Sequence, residues 1–138
     1  MYKKIALMAC WSTLLFASSS VAGSWVPVDK ATHGKSEVDA KVGTLKISMM
    51  RVHARRQISG IFRWKDSKKG ETFFYREAVS LAACRKGYGV LYAYNLSGDI
   101  PVESFNVVHD GGNLISAVFD ALCDVAKAIE AGEMPNGK

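Results

Sequence analysis

Tyr88-Gly-Val-Leu-Tyr-Ala-Tyr-Asn-Leu96 carries Tyr88, Val90, Tyr92 and Tyr94 on one parity and Gly89, Leu91, Ala93 and Asn95 on the other. A period of two marks a strand with two unlike faces. Upstream, Thr72 to Ala83 reads as the neighbouring strand, setting Ala78, Ser80, Ala82 and Cys84 in one row, with Arg85-Lys-Gly87 as the break between the two. Small side chains let a helix approach a sheet closely. The Gly89 row and the Ala78 row are therefore expected on the helix-covered face.

The helix itself lies near the C-terminus. Asp110-Gly-Gly-Asn113 breaks the strand pattern and offers Asn113 as an N-cap. Leu114, Ile115, Val118, Phe119, Leu122, Val125, Ala126 and Ile129 follow at helical spacing as one apolar stripe. Gly132 ends it, and residues 133–138 are expected to fray. Working back towards the N-terminus, strands are expected at Trp25–Val28, Glu37–Asp39, Thr44–Met50 (which could also hold a turn of helix) and Val52–Trp64, with a last one at Ile100–Val108. In the long strand Val52, Ala54, Ile58, Gly60, Phe62 and Trp64 share a parity, interrupted by Arg56. Asp66 to Gly70 and Ser97-Gly-Asp99 are turns. The fold class is α+β: a twisted antiparallel sheet of about five to seven strands with a C-terminal helix packed on one face.

The first residues have the export pattern. Met1-Tyr-Lys-Lys4 is basic, Ile5 to Ala17 is apolar except for Ser12 and Thr13, and Ser18 to Gly23 is small. Residues 1–22 are read as a signal peptide cleaved after Ala22, with Gly23 the alternative. A lipoprotein reading at Cys10 would strand Trp11 to Phe16 on the mature surface and is set aside. The mature domain, 23–132 plus the tail, is one ordinary domain in length. It has no second long apolar segment, so no transmembrane segment is expected in it. Loss of Lys3 and Lys4 leaves 16 basic residues against 13 acids, and the formal charge falls from +5 to +3.

Cys10 leaves with the leader, and Cys84 and Cys123 remain. Two cysteines in an oxidising compartment read as a disulfide. Cys84 ends the small-residue row and Cys123 sits one turn after Phe119, so the bond would tie the helix across the sheet. A redox or metal pair is the rival, but there is no Cys-x-x-Cys, and His33, His53 and His109 show no ligand spacing. No metal site is predicted.

Catalytic chemistry is not legible. There is no Gly-x-Ser-x-Gly and no mature cysteine left free by the disulfide. His109-Asp110 is the one adjacent acid–base pair, and its place before Gly111-Gly112 suits a turn. Two features suggest binding instead. Arg51, Arg55, Arg56, Arg63, Lys65, Lys68 and Lys69 cluster within nineteen residues. They are either a solvated, charge-protected face or a footprint for an acidic partner. Tyr88, Tyr92 and Tyr94 form a row on the parity opposite the helix. That row is either an interaction face or a second small core with Phe73, Tyr75 and Trp64. Nucleic acid is disfavoured by export and by the mild charge.

In these elements the chain resembles the surface-adhesin protein E family of Gram-negative bacteria. The likeness rests on Trp25, the Glu37-Val-Asp39 strand, Phe62-Arg-Trp64, the strand entering Cys84 with Arg85-Lys-Gly-Tyr88 after it, and the terminal helix with Cys123. It implies a sheet of about six strands, a tethered helix, homodimers and a place at the cell surface; the chain departs from the family in lacking a lipid-attachment cysteine, which points instead to a free periplasmic protein. It also implies binding of extracellular-matrix proteins; no cofactor is expected from the residues themselves, and haem enters only through the resemblance. No ligand-binding residue of the family can be matched to a position here. The expectation is a non-enzymatic binding protein whose partner is a matrix protein or acidic polysaccharide. A small periplasmic enzyme or inhibitor, and an accessory subunit of an envelope complex, are the alternatives.

Overall fold

The computed structural model describes residues 24–28, 36–50, 55–66 and 68–137. The signal peptide and its cleavage site, the first residues of the expected 52–64 strand, and Arg51 lie outside them. The described residues form one antiparallel sheet of seven strands: β1 Trp25–Pro27, β2 Ser36–Lys41, β3 Lys46–Met49, β4 Arg56–Asp66, β5 Glu71–Ser80, β6 Tyr88–Tyr94 and β7 Glu103–Val108. Two helices follow β5 and β7, α1 Leu81–Lys86 and α2 Leu114–Glu130.

β4 is the backbone of the sheet. One of its edges pairs with β5 from Gln57 to Asp66, while β2 and β3 share the other edge end to end. Where those two meet, a 3-10 turn at Val42–Thr44 turns the chain, and the Thr44 hydroxyl oxygen accepts from the Ile61 N–H at 2.9 Å. The order β1-β2-β4-β5-β6-β7 leaves β1 and β7 at the borders. β1 is three residues long and contains Pro27, features that discourage further pairing at an edge.

Alternation along β4 sends Ile58, Gly60, Phe62 and Trp64 to the covered side, as the sequence implies. There Ile58, Phe62, Val79 and Leu91 meet Val118, Phe119 and Leu122 of α2, all essentially inaccessible to water. Burying each large side chain contributes roughly 1.5–3 kcal/mol. Asn113 caps α2 as its sequence suggests, accepting from the Ser116 N–H at 2.9 Å.

Three expectations need correction. The strand expected to reach Ala83 ends at Ser80, whose hydroxyl accepts from the Ala83 N–H and caps α1; Gly87, with φ 86°, closes that helix. Ala82 and Cys84 are thus helical, and the disulfide joins α1 to α2, with its Cα atoms 5.4 Å apart. Ala78 is cross-strand from Tyr92, so it points to the uncovered face; the covered row of β5 is Phe73, Tyr75, Glu77 and Val79. The tail does not fray over 133–137. Met134 is buried, the Asn136 carboxamide both accepts from Ile47 N (2.7 Å) and donates to Ile47 O (3.2 Å), and Gly137 N donates to Leu45 O.

Candidate binding surface

Among the described residues, no helix lies over the face opposite α2. β4 presents Ser59, Ile61, Arg63 and Lys65 there, β5 presents Phe74, Arg76 and Ala78, and β6 presents Tyr92 and Tyr94, as the cross-strand pairs Arg63–Phe74 and Arg76–Tyr94 require. β1 and β2 add Trp25 and Lys41, and β3 adds Lys46. The two sequence motifs, the basic strand and the tyrosine row, therefore meet on one side of the sheet.

Cations and rings alternate across it. The Arg63 guanidinium lies 4.4 Å from the Trp25 ring centre, the Lys41 ammonium 5.9 Å from the same ring, and Phe74 tilts against Trp25 at 5.9 Å. Arg76 lies 4.5 Å from the Tyr94 ring and donates to the Gly98 carbonyl. Such stacking costs a guanidinium little hydration and holds it in place. Asp39 is the main counter-charge. Its Oδ2 accepts from Arg63 Nη2 at 2.8 Å and Nε at 3.1 Å, and Lys65 Nζ lies 3.2 Å away. In all, Lys41, Lys46, Arg63, Lys65 and Arg76 share this side with Glu37, Asp39 and Asp99, an excess of two positive charges. Lys46, Arg76, Tyr94 and Asp99 also frame a hollow of about 220 Å³.

The expected basic cluster is not one patch. Arg63 and Lys65 belong to the face just described, but Arg56 lies on the other parity and pairs with Glu130 at the end of α2, 3.4 Å away. Arg55 precedes β4 and Lys68 and Lys69 follow it; a strand of eleven residues spans roughly 36 Å, so these groups sit at opposite ends. The tyrosines also divide. Tyr88 is exposed and Tyr92 half-buried, whereas Tyr94 is buried, its hydroxyl held above the usual tyrosine pKa by burial, which the Arg76 charge only partly offsets. Phe73, Tyr75 and Trp64 lie on the covered side, so they form no second core with the tyrosines. Nothing in the sequence alone marks Trp25, Lys41, Lys46, Phe74 and Arg76 as members of this face. Arg76 stands cross-strand from Tyr94, in register with the tyrosine row of β6, but nothing local aligns Trp25 with Arg63.

His109 and Asp110 have a further partner in Asp120. His109 Nδ1 and Asp120 Oδ1 are 2.8 Å apart, the Asp110 N–H donates to Asp120 Oδ2 at 3.1 Å, and His109 Nε2 is 3.4 Å from Asp110 Oδ2. The three offer ligand atoms within 4.8 Å of one another. Both Asp120 oxygens are nevertheless committed to tying the β7–α2 turn onto the helix. The adjoining hollow is lined by Cys84 and Cys123, which are bonded to each other and supply no thiolate.

Among known proteins, the chain matches no family model, no curated protein and no solved structure. Among the described residues, no helix is long and apolar enough to cross a membrane.

Proposed function

We propose that this is an exported, non-enzymatic binding protein, of the kind its resemblance to protein E adhesins implies, and that its uncovered sheet face holds an acidic polysaccharide. The observation that supports this most is the Trp25–Arg63–Phe74 and Arg76–Tyr94 stacking on a face that no helix among the described residues covers. The exposed Phe74 and half-buried Trp25 rings match the flat apolar sides of sugar rings, Tyr94 serves to hold Arg76 in place, and the interleaved cations match sulfate or carboxylate groups along a chain. The leader-like N-terminus and the Cys84–Cys123 bond support an extracytoplasmic setting.

Heparin chromatography tests the reading. The mature protein should be retained at low ionic strength and released as the Debye length shortens from ~10 Å at 0.1 M salt to ~3 Å at 1 M. A Lys41→Ser, Lys46→Ser, Arg76→Ser variant should elute at clearly lower salt. An Arg56→Ser, Lys68→Ser variant, altered off this face, should elute close to the parent. Equal elution of both variants, or no retention of the parent, removes the proposal.

A further inference from the structure

On the opposite, covered side, α2 does not reach across the whole sheet. Beside its first turn, where Ile115 forms one wall, lies a groove of about 290 Å³. Trp64, Phe73, Tyr75 and Phe105 supply the other walls, and Glu77 and Glu103 the only charged side chains among the described residues that line it. The register explains the grouping. Gly60, Glu77, Ala93 and Glu103 lie in one row across four strands, so the two acids flank Ala93 and have only small neighbours in their row. Trp64 pairs with Phe73, and Phe62 with Tyr75, one step along.

A carboxyl at this place is costly. Glu77 is 1% exposed, and the one side-chain hydrogen bond it receives among the described residues comes from Trp64 Nε1, at 3.0 Å. Among the described residues, no Lys, Arg or His lines the groove with it. A leucine would fill the same row without a desolvation cost, so packing does not account for the acid. The ring faces add partial negative charge to the carboxyls. What the groove lacks is a positive charge with an apolar body.

We propose that this groove binds an organic cation, an alkylammonium or quaternary ammonium group, seated against the Trp64, Phe73, Tyr75 and Phe105 rings with Glu77 and Glu103 as its counter-charges. An anionic ligand would meet two carboxyls, and a neutral one would offer them no counter-charge. A cation gains from the ring quadrupoles, most where water is excluded. The exchange is balanced: the Glu77 carboxylic acid releases its proton to solvent as the ammonium arrives, and the carboxylate stays as its partner. With burial pushing Glu77 up to about 8, binding should strengthen about tenfold per pH unit as pH rises towards that value, then level off. The titratable groups facing Glu77 are Glu103 from β7 and Tyr75 from its own strand; β4 contributes Trp64 and α2 contributes Ile115.

Calorimetric titration of the mature protein with choline, whose charge does not titrate, tests this against choline's uncharged carbon isostere. Choline should bind at least tenfold more tightly than the isostere at pH 9, more weakly at pH 6, and with close to one proton released near pH 7. Glu77→Gln should lose at least tenfold in affinity together with the pH dependence. Phe73→Leu, on the exposed rim, should lose several-fold with folding intact by circular dichroism. Equal binding of the isostere overturns the cation reading and leaves a neutral-ligand groove; no binding of either overturns the site. Neither result bears on heparin retention, which reports the other face.

Discussion

The indole N–H of Trp64 donates to Glu77 Oε1 at 3.0 Å beneath the first turns of α2, and this is the hydrogen bond on which a buried acid rests. Burial raises the Glu77 pKa to about 8 from an ordinary 4.5; the indole bond works against that rise and the Glu103 charge adds to it. Between these values the folded chain holds a proton that the unfolded chain has lost. The stability contributed by the neutral acid is complete below about pH 4.5 and is lost as pH climbs through about 8. At about 1.4 kcal/mol per unit, the loss amounts to several kcal/mol. Glu77→Gln keeps an acceptor for the indole and cannot ionise. The parent's Tm should therefore fall between pH 5 and pH 9 while the variant's changes much less, and at pH 9 the variant should melt higher. Parallel curves would show that Glu77 does not carry the pH dependence.

Much of this architecture is legible in the chain. Ile58, Phe62 and Trp64, Leu91 and Ala93, and the α2 stripe each announce their buried side through a single period. The end of β5 is not so readable, because Ala78-Val-Ser-Leu-Ala-Ala83 suits both a strand and a helix. Only with β5 paired through Ser80 does that serine emerge as a cap for α1. The binding face hides for another reason: Trp25 meets Arg63 through two successive pairings, β1 with β2 and β2 with β4, which no local pattern encodes. The acid in the groove was visible as Glu77 in the row Phe73, Tyr75, Val79. Its protonation depends on burial among neighbours far along the chain, from Trp64 on β4 to Glu103 on β7 and Ile115 on α2.

Asp39 restrains two cations of the binding face, and removing its charge should separate binding from stability. Asp39→Asn leaves Arg63 and Lys65 without their carboxylate partner. Polyanion affinity should rise, read as elution from heparin at higher salt. Stability should fall by about 1.5–3 kcal/mol, the usual worth of a hydrogen bond to a charged group. Earlier elution would mean that Asp39 positions Arg63 for the ligand rather than competing with it.

The Cys84–Cys123 bond closes a loop of 39 residues between α1 and α2. Loop-closure entropy assigns it about 4 kcal/mol, a large share of an ordinary domain's ~5–15 kcal/mol. Unreduced, denatured mature protein should return no titratable thiol. The double variant Cys84→Ser, Cys123→Ser should unfold at markedly lower denaturant, matching parent protein assayed in reductant. A variant that unfolds at the parent's midpoint would show that the bond adds nothing to the packing of α1 on α2.

Gly89 offers the sharpest test of how α1 meets the sheet. It lies on the covered side of β6, and a Cβ built there would fall 2.6 Å from the Ala83 Cβ and 3.5 Å from its Cα. Neither atom belongs to a flexible side chain. Ala83 is fixed within a six-residue helix by the Ser80 cap, the Gly87 turn and the neighbouring disulfide, so the helix cannot swing away freely. Elsewhere in a strand, replacing glycine would gain a few tenths of a kcal/mol from the stiffer unfolded chain. Here overpacking should dominate, and Gly89→Ala should cost about 1–3 kcal/mol. Ala83→Gly removes the opposing methyl at the ordinary cost of glycine in a helix, about 1 kcal/mol. Combined, the two changes should cost less than the sum of the singles, because the added methyl occupies the space the other vacated. A double-mutant cycle by urea denaturation measures the difference. Strict additivity would mean that α1 already yields at this point, and that the close approach of Gly89 and Ala83 does not set where the helix sits.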